Sequence, residues 1–237
     1  MYSYEFVEIP NIEEDLFARN SYMYFYYGQE GRRKISSISP TVYYTTVDSP
    51  IFPTNGTKYL MNYRYSGGVL GGDVNLHKLK LEFVKFIPLI KRHTLGFHLV
   101  YQGMKGFGEN ADQIPFYERY FLGGERSIRG FDIYQLGPLD ERGYPTGGNK
   151  AFFMNLEYQI SMTEQFALIA FFDMGNAYDF GQPIDFGDVY SSMGLEVKVF
   201  IPMFGVPFRL IFSHNPRRLR PYDKHFEFRF AVGPSFS

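Results

Sequence analysis

Apolar and polar side chains alternate over runs of about ten residues, and this period of two restricts the fold more than any other feature. Residues 150–160 and 225–232 show it best, and their apolar faces carry Phe152, Met154, Leu156, Tyr158 and Ile160 in the first run and Phe226, Phe228, Phe230 and Val232 in the second. Helical periodicity is nearly absent. Alternation of this kind predicts strands with one apolar face. The chain is therefore expected to be all-β and antiparallel.

The same reading along the whole chain predicts eleven strands. They cover residues 3–9, 17–27, 34–46, 57–67, 74–87, 92–104, 149–161, 164–174, 189–201, 206–214 and 224–235. Many are ten residues or longer, whereas strands of globular sheets usually have about five or six residues. Ten residues is the length that a tilted strand needs to cross a bilayer.

The predicted connections differ in length on the two sides of the sheet. Turns at 161–163 and 202–205 are short, while the opposite side carries the longer segments 176–188 and 105–148. This asymmetry is typical of a transmembrane β-barrel of the outer-membrane type. A β-sandwich also alternates and remains the alternative at this point, although polar faces that include aromatic residues favour a barrel lumen.

Three charged residues share one face of the fifth predicted strand: Lys78, Lys80 and Glu82. A charge on the lipid face at mid-bilayer costs about 2–4 kcal/mol. We therefore expect these three side chains to point into the lumen.

Composition excludes several classes of function. The 237 residues carry a net charge of −1, which gives no reason to expect a nucleic-acid partner. The chain has no cysteine, its five histidines lack metal-ligand spacing, and Ser213-His214 is not a triad arrangement. We therefore predict no catalytic residue, no metal site and no cofactor, and an enzyme such as a lipase is disfavoured.

The ends of the chain and the strand count point to a piece of a larger barrel. The first residues, MYSYEFVEIP, lack the pattern of a signal peptide, so either the protein is not exported or the chain is a piece of a longer precursor. An odd number of strands is unusual because single-chain bacterial barrels have an even number. Either the chain starts partway through a barrel, or the count is wrong by one strand.

A specific string, FLGGERSIRGFDIYQLGP, occupies residues 121–138 of the longest predicted loop. Gly123, Gly124 and Gly130 permit backbone angles that other residues avoid, so a tight reversal is possible there. Arg129 cannot lose its charge and needs a carboxylate partner wherever it is occluded from water.

Four strings together carry a family resemblance. FLGGERSIRGF resembles the arginine-glycine-aromatic motif in the long extracellular loop of the BamA-like superfamily of outer-membrane assembly factors, which includes TamA and the two-partner secretion transporters. TTVDSPIFPTNGT at 45–57 is similar to a turn of that family, FFDMGNAYD at 171–179 to its Asp-x-Gly strand motif, and FEFRFAVGPSF at 226–236 to its C-terminal β-signal. The order of these strings and the five strands predicted after the loop also match.

The resemblance implies an antiparallel barrel of sixteen strands, of which residues 1–237 are about the C-terminal two-thirds, without the N-terminal strands and the periplasmic POTRA modules. It also implies that the 105–148 loop folds back into the lumen and that its arginine meets acidic residues of the wall. The implied loop motif is Gly123, Gly124, Arg129, Gly130 and Phe131, and its implied lumen partners are Glu157, Asp173 and Gly175. Alternation supports an inward position for Glu157 and Asp173, since both lie opposite the apolar stripes of their strands.

The end of the chain has a second implied role. Gly233 and Pro234 weaken strand pairing, because proline lacks a donor and glycine has no side chain to pack. In the family the last strand closes weakly against the first, and the implied residues of this seam and its β-signal are Phe226, Phe228, Phe230, Gly233 and Phe236. An opened seam would expose unpaired backbone groups that can template an incoming strand. The alternative is that Gly-Pro only ends the strand.

The function implied by the resemblance is assembly of other proteins in the bacterial outer membrane, with this chain as a multi-pass barrel. The implied partners are the outer-membrane lipid bilayer, nascent outer-membrane proteins, and periplasmic modules or accessory lipoproteins of the full-length protein. A two-partner-secretion or other protein-translocating pore of the same superfamily is the alternative function.

Overall fold

A computed structural model describes residues 1–9, 31–108, 111, 114–221 and 223–235. Within these residues eleven antiparallel strands form one sheet, and α-helix is absent, which confirms the predicted all-β class. The strands are β1 (Tyr2–Ile9), β2 (Gly31–Ile38), β3 (Thr41–Thr45), β4 (Gly56–Ser66), β5 (Leu76–Pro88), β6 (His93–Gly106), β7 (Lys150–Ser161), β8 (Phe166–Tyr178), β9 (Tyr190–Phe200), β10 (Pro207–His214) and β11 (Phe226–Val232).

The sheet is built from sequential hairpins, with one exception near its start. The strand order is β1-β2-β4-β5-β6-β7-β8-β9-β10-β11, and β3 pairs with β4 beside β2. Because β2 and β3 share one place, the eleven strands occupy ten places across the sheet. The number of described strands thus agrees with the predicted eleven, although one predicted strand is divided into β2 and β3.

The prediction of one strand over 34–46 is wrong. The chain leaves the strand after Ile38 and re-enters it at Thr41, and Pro40 lies at the break. Proline cannot donate to a strand ladder, which accounts for the interruption. The carbonyl of Pro40 still accepts a bond from the Tyr63 amide at 3.1 Å, so β3 stays in contact with β4.

Most other strands agree with the prediction to within a few residues. The two largest differences are β8, which continues to Tyr178, and β11, which ends at Val232. β8 is longer because its last residues pair with the start of β7, Lys150 opposite Tyr178. The predicted strand 17–27 lies outside the described residues.

The register sorts side chains into an apolar outer face and a polar inner face. On the outer face Leu195, Phe212 and Phe228 lie side by side and are 50%, 51% and 59% exposed. On the inner face Asn155, Asp173 and Ser192 lie side by side, and all three are buried. An apolar exterior with a polar interior is the pattern of a sheet whose outer face contacts lipid.

Lys78, Lys80 and Glu82 of β5 point inward, as predicted. Glu82 is buried and forms ion pairs with Lys58 at 2.7 Å and with Lys80 at 2.9 Å. Lys78 pairs at 2.7 Å with Glu118, which belongs to the loop that covers the inner face. These contacts neutralise the charges away from the outer wall.

The core lies between the inner face and the long connection from β6 to β7. Leu122, Ile128 and Leu136 of this connection are buried against wall residues, and the full cluster contains Val100, Leu122, Ile128, Phe131, Leu136, Ala151, Phe153, Ala177 and Tyr190. The loop therefore folds onto the inner side of the sheet, and its apolar side chains form a buried layer with those of the wall. No helix in the described part of the chain is both long enough and apolar enough to span a membrane.

The outward assignment of the apolar face can be tested at Leu195. Leu195→Arg should destabilise the folded protein by about 2–4 kcal/mol, because it places a guanidinium in hydrocarbon. The measurement is urea unfolding of the intact protein in lipid vesicles. Met203→Arg, in the exposed turn after the same strand, is the control and should change the free energy of unfolding by less than about 0.5 kcal/mol. Equal losses in the two variants would contradict the assignment.

Candidate functional site: the motif loop and the lumen charge cluster

The motif loop reverses at two glycines with positive φ. Gly123 and Gly124 have φ of 109° and 87°, a region that favours glycine. Ser127 closes the turn, since its Oγ accepts a bond from the Gly123 amide at 2.8 Å and lies 3.0 Å from the Gly123 carbonyl. The Gly124 amide donates to the Phe131 carbonyl at 2.8 Å. This local framework directs Arg129 at the inner wall.

Arg129 binds carboxylates from three adjacent strands. Its Nε and Nη2 donate to the two oxygens of Asp173 at 2.8 and 2.7 Å, a bidentate pair. Its Nη1 donates to Glu157 at 2.5 Å and to Glu196 at 3.2 Å. The backbone amide of Arg129 also donates to Asp173, at 3.0 Å. All four side chains are buried, so these are charge-assisted bonds in a site with little water.

Two further cations complete the cluster. Arg209 of β10 forms a second bidentate pair with Glu196, with both distances 2.8 Å. Lys198 is buried directly opposite Arg209 in the β9–β10 register, where its charge interacts with those of Glu157 and Glu196. The cluster thus has three cations (Arg129, Lys198, Arg209) and three anions (Glu157, Asp173, Glu196), and its formal charge is zero.

Burial and charge act in opposite directions on Arg129. Burial alone would lower the pKa of its guanidinium, but the carboxylates of Asp173 and Glu157 raise the pKa well above the usual value. The guanidinium also lies 3.8 Å from the centre of the Phe171 ring. Arg129 is therefore a permanent buried cation whose position is fixed by its partners.

Gly130 allows the loop to lie directly on the wall. Its amide donates to Ser192 Oγ at 3.2 Å, and its carbonyl accepts a bond from the Asn215 side chain. A Cβ at this position would overlap the Asn215 side chain and lie 2.8 Å from Ser192 Cβ. Any larger residue would push the loop off the wall.

Phe131 connects the loop with the last strand. Its ring is buried and packs edge-on against Tyr190, with 5.5 Å between the centroids. Its carbonyl accepts a bond at 3.0 Å from Arg229 of β11, and the same guanidinium pairs with Asp132 at 3.0 Å. The loop therefore contacts β7, β8, β9 and β11, and also Asn215, which directly follows β10.

Gly175 has a different position from the other implied partners of Arg129. It lies opposite Phe153 in the β7–β8 register, and a Cβ there would overlap the β7 backbone at Phe152. Its role in the structure is close approach of two strands, whereas Asp173, two residues earlier, binds the arginine.

The residues of the implied C-terminal seam lie on the outer face. Phe226, Phe228 and Phe230 are 73%, 59% and 56% exposed, and Phe228 and Phe230 contact Phe212 and Phe208 of β10. The chain leaves β11 at Gly233, whose φ is 112°. The following segment turns toward the charge cluster, where the Pro234 carbonyl lies 3.5 Å from Arg209. Phe236 lies outside the described residues.

The turn at 45–57 folds under the lumen. Asp48 fixes it by accepting bonds from the amide and the hydroxyl of Thr54. Burial alone would raise the pKa of Asp48, but the bonds from Thr54 lower it below its usual value. The Pro53 carbonyl lies 3.4 Å from Gln159 Nε2 on the opposite wall. The string that resembles a family turn is thus a compact cap on the side of the short turns.

Several residues of the site were not predicted as members of it. The alternating pattern could have placed Glu196 and Lys198 in the lumen, because both lie on the polar face of their strand. Asn155, which donates to Ser127 O at 2.6 Å and to Asp173 at 2.8 Å, could have been placed in the same way. Asn215 and Arg229 depend on where the loop docks, and no local pattern marks them. Among the described residues, no group of three or more His, Cys, Asp or Glu is placed to hold a metal ion.

The sequence matches one protein family over nearly its whole length. Residues 2–236 match the model of the Omp85 superfamily domain. The chain is 33% identical over 196 residues to the outer membrane protein assembly factor BamA of Nitratidesulfovibrio vulgaris, covering 81% of this chain and 24% of that protein. It is 29% identical over 119 residues to the mouse sorting and assembly machinery component 50 homolog, covering 50% of this chain and 25% of that protein. The chain therefore spans about a quarter of the length of these relatives.

Solved structures share the fold. The crystal structure of BamA from Haemophilus ducreyi lacking POTRA domains 1–3 superposes with a TM-score of 0.72 at 19% identity, covering 98% of this chain and 49% of that one. CdiB from Acinetobacter baumannii superposes with a TM-score of 0.55 at 16% identity, covering 85% of this chain and 33% of that one.

The docking of the loop can be tested at Arg129. Arg129→Ala removes the cation that binds the buried carboxylates of Asp173 and Glu157, a change that costs about 3–5 kcal/mol. The loop between β6 and β7 should become sensitive to limited proteolysis in detergent micelles, while circular dichroism should report unchanged strand content. Arg126→Ala is the matched control, because the Arg126 side chain is 78% exposed in the same loop. Equal protease resistance in both variants would contradict the role of the cluster.

Proposed function

The chain belongs to the Omp85 superfamily, and on this premise we propose that it folds and inserts other proteins in the bacterial outer membrane. The observation that carries the proposal is the 33% identity to an outer-membrane assembly factor over 81% of the chain. Since the chain spans about a quarter of that relative, the activity is proposed for the intact protein that contains it. In that protein, residues 1–237 would be about the last two-thirds of a sixteen-strand barrel that follows periplasmic POTRA modules.

The proposed mechanism uses the edge of β11. This strand has seven residues, against eleven to fourteen in β4 to β9, and it pairs only with β10 among the described strands. Fewer ladder bonds make the seam that β11 forms in the complete barrel easier to open than the other strand pairs. Backbone groups exposed inside a membrane cannot bond to water, so an opened edge favours pairing with an incoming strand. No catalytic group is needed for this step.

The motif loop has a supporting part in the proposed mechanism. Its contacts to Glu157, Asp173 and Glu196 hold β7, β8 and β9 in one arrangement. The loop contacts β11 through one side chain, the Arg229 guanidinium, which donates to the Phe131 carbonyl. Opening of the seam would therefore disturb one loop contact and leave the buried cluster intact.

The proposed partners follow from the two faces. The outer wall contacts the lipid bilayer, and the β11 edge receives nascent outer-membrane proteins. Periplasmic modules of the intact protein, or accessory lipoproteins, would deliver these clients.

A protein-translocating pore is the second candidate. The fold shared with CdiB is consistent with a pore in the same superfamily. The sequence relatives favour assembly, since both are described as assembly proteins. The two functions differ in the fate of the client, which is inserted in the membrane in one case and released across it in the other.

Assembly activity can be measured with the intact protein in lipid vesicles. A urea-unfolded outer-membrane protein is added, and its folded form is followed by heat-modifiable gel mobility. Insertion should be faster than in empty vesicles, slower with Arg129→Ala, and unchanged with Arg126→Ala. Rates equal to empty vesicles would contradict the proposal, and release of the client into the vesicle lumen would favour the pore.

The edge mechanism has a separate readout. A photoreactive phenylalanine analogue at Phe228 of β11 should crosslink to the client during insertion. The same analogue at Leu156, on the outer face of β7, is the control and should give little crosslinking. Equal yields at the two positions would argue against templating at β11.

A further inference from the structure

The outer wall has a hollow near the foot of the motif loop. One row of the register places Tyr63, Leu79, Gly103, Lys150 and Tyr178 side by side. Gly103 lacks a side chain between Leu79 and Lys150, and a hollow of about 300 Å³ opens there. This gap interrupts the outer wall where β5 and β7 begin and β6 ends, next to the long connection from β6 to β7.

Two lysines border the hollow without an acidic neighbour. Lys150 lies directly opposite Gly103, and Lys105 lies two residues further along β6 on the same face. No carboxylate lines the hollow, and neither ammonium has an ion pair or hydrogen bond within the described part of the chain. Lys78, Lys80 and Glu82 of β5 form ion pairs in the lumen, whereas Lys105 and Lys150 lie on the outer face.

The hollow is lined by aromatic side chains that combine an apolar ring with a polar group, namely Tyr63, His77 and Tyr101. The Tyr63 hydroxyl and His77 Nδ1 lie 2.5 Å apart, and the His77 ring contacts the rings of Tyr65 and Phe107, with centroid distances of 5.2 and 4.8 Å. The Tyr101 hydroxyl would lie 2.9 Å from a Cβ on Gly103, so it reaches over the floor of the hollow. Tyrosine prefers the level where hydrocarbon meets water, which is where lipid headgroups lie.

We propose that this hollow binds the phosphate group of an anionic membrane lipid. The two lysines supply the positive charge, and the Tyr101 hydroxyl supplies a donor beside the floor. Basic residues at the membrane surface attract anionic headgroups in this way. Leu81 and Leu99 continue the outer wall from the hollow toward its middle, and both are exposed to the acyl chains that a bound lipid would place there. A phosphate without acyl chains would leave this apolar surface uncovered.

The position gives the bound lipid a structural consequence. Lys105 is the second-last residue of β6, which leads into the loop. Lys150 is the first residue of β7, which follows the loop. A headgroup bound by both lysines would bridge the two ends of the loop from the outside, opposite the charge cluster that holds the loop from the inside.

The test uses the intact protein in detergent micelles, titrated with phosphatidylglycerol and followed by native mass spectrometry. The double variant Lys105→Gln/Lys150→Gln should bind the lipid about tenfold more weakly. Gly103→Val, which fills the hollow and keeps both charges, should also weaken binding several-fold. Lys85→Gln/Lys91→Gln removes two charges near the opposite end of the β5–β6 hairpin and should leave binding unchanged.

Three results would overturn the proposal. They are equal binding of zwitterionic phosphatidylcholine, equal losses with the control variant, and displacement of the lipid by soluble glycerol phosphate at the concentration of the lipid itself. The last result would assign the hollow to a free phosphate. Gly103→Ala, which adds one methyl group near the Tyr101 hydroxyl, replaces Gly103→Val if the larger residue prevents folding, which heat-modifiable mobility reports.

Discussion

The contact of one buried arginine with three carboxylates determines how the loop and the wall of this protein fit together. Glu157, Asp173 and Glu196 lie on adjacent strands, and without Arg129 these three buried carboxylates would face only two cations of the wall, Lys198 and Arg209. Arg129 is equally unable to remain buried alone, since a guanidinium does not lose its charge. The loop and the wall therefore require each other. The position of the 121–138 segment against the wall follows from this requirement, while its own hydrogen bonds shape the turn.

Because side chains alternate between the two faces of the sheet, each face has its own role. The outer face places Leu195, Phe212 and Phe228 toward lipid, and the inner face collects the charges and the polar groups that hold the loop. Glu82 and Glu118 form a second set of inner ion pairs around the β4–β6 wall. Among the strands that the structure describes, β11 is terminal and pairs along one edge, with β10. The rigid centre and the short terminal strand together give the proposed assembly mechanism its physical basis.

Alternation in the sequence was enough to predict the class of the fold and most of the strands, because a strand in lipid must separate its side chains by face. The prediction failed at Pro40, where the alternation of side chains continues but the strand is interrupted because proline cannot donate a backbone hydrogen bond. Glu157 and Asp173 could be placed inward by the same pattern, although their pairing with Arg129 rested on family resemblance. Asn215 and Arg229 could not be predicted, because their contacts with Gly130 and Phe131 join residues 85 and 98 positions apart. Such contacts depend on the depth to which the loop enters the lumen.

The neutral cluster also limits how the sequence of this protein can change. A single substitution of Glu196 by glutamine would leave Arg209 and Lys198 facing one carboxylate fewer, and a single loss of Arg209 would leave an excess of negative charge. Either change alone creates a net charge in a site that water hardly reaches, whereas the loss of both members of the Glu196–Arg209 pair restores the balance. Related chains should therefore vary at these two positions together, and a cation lost at one strand should return at a neighbouring one.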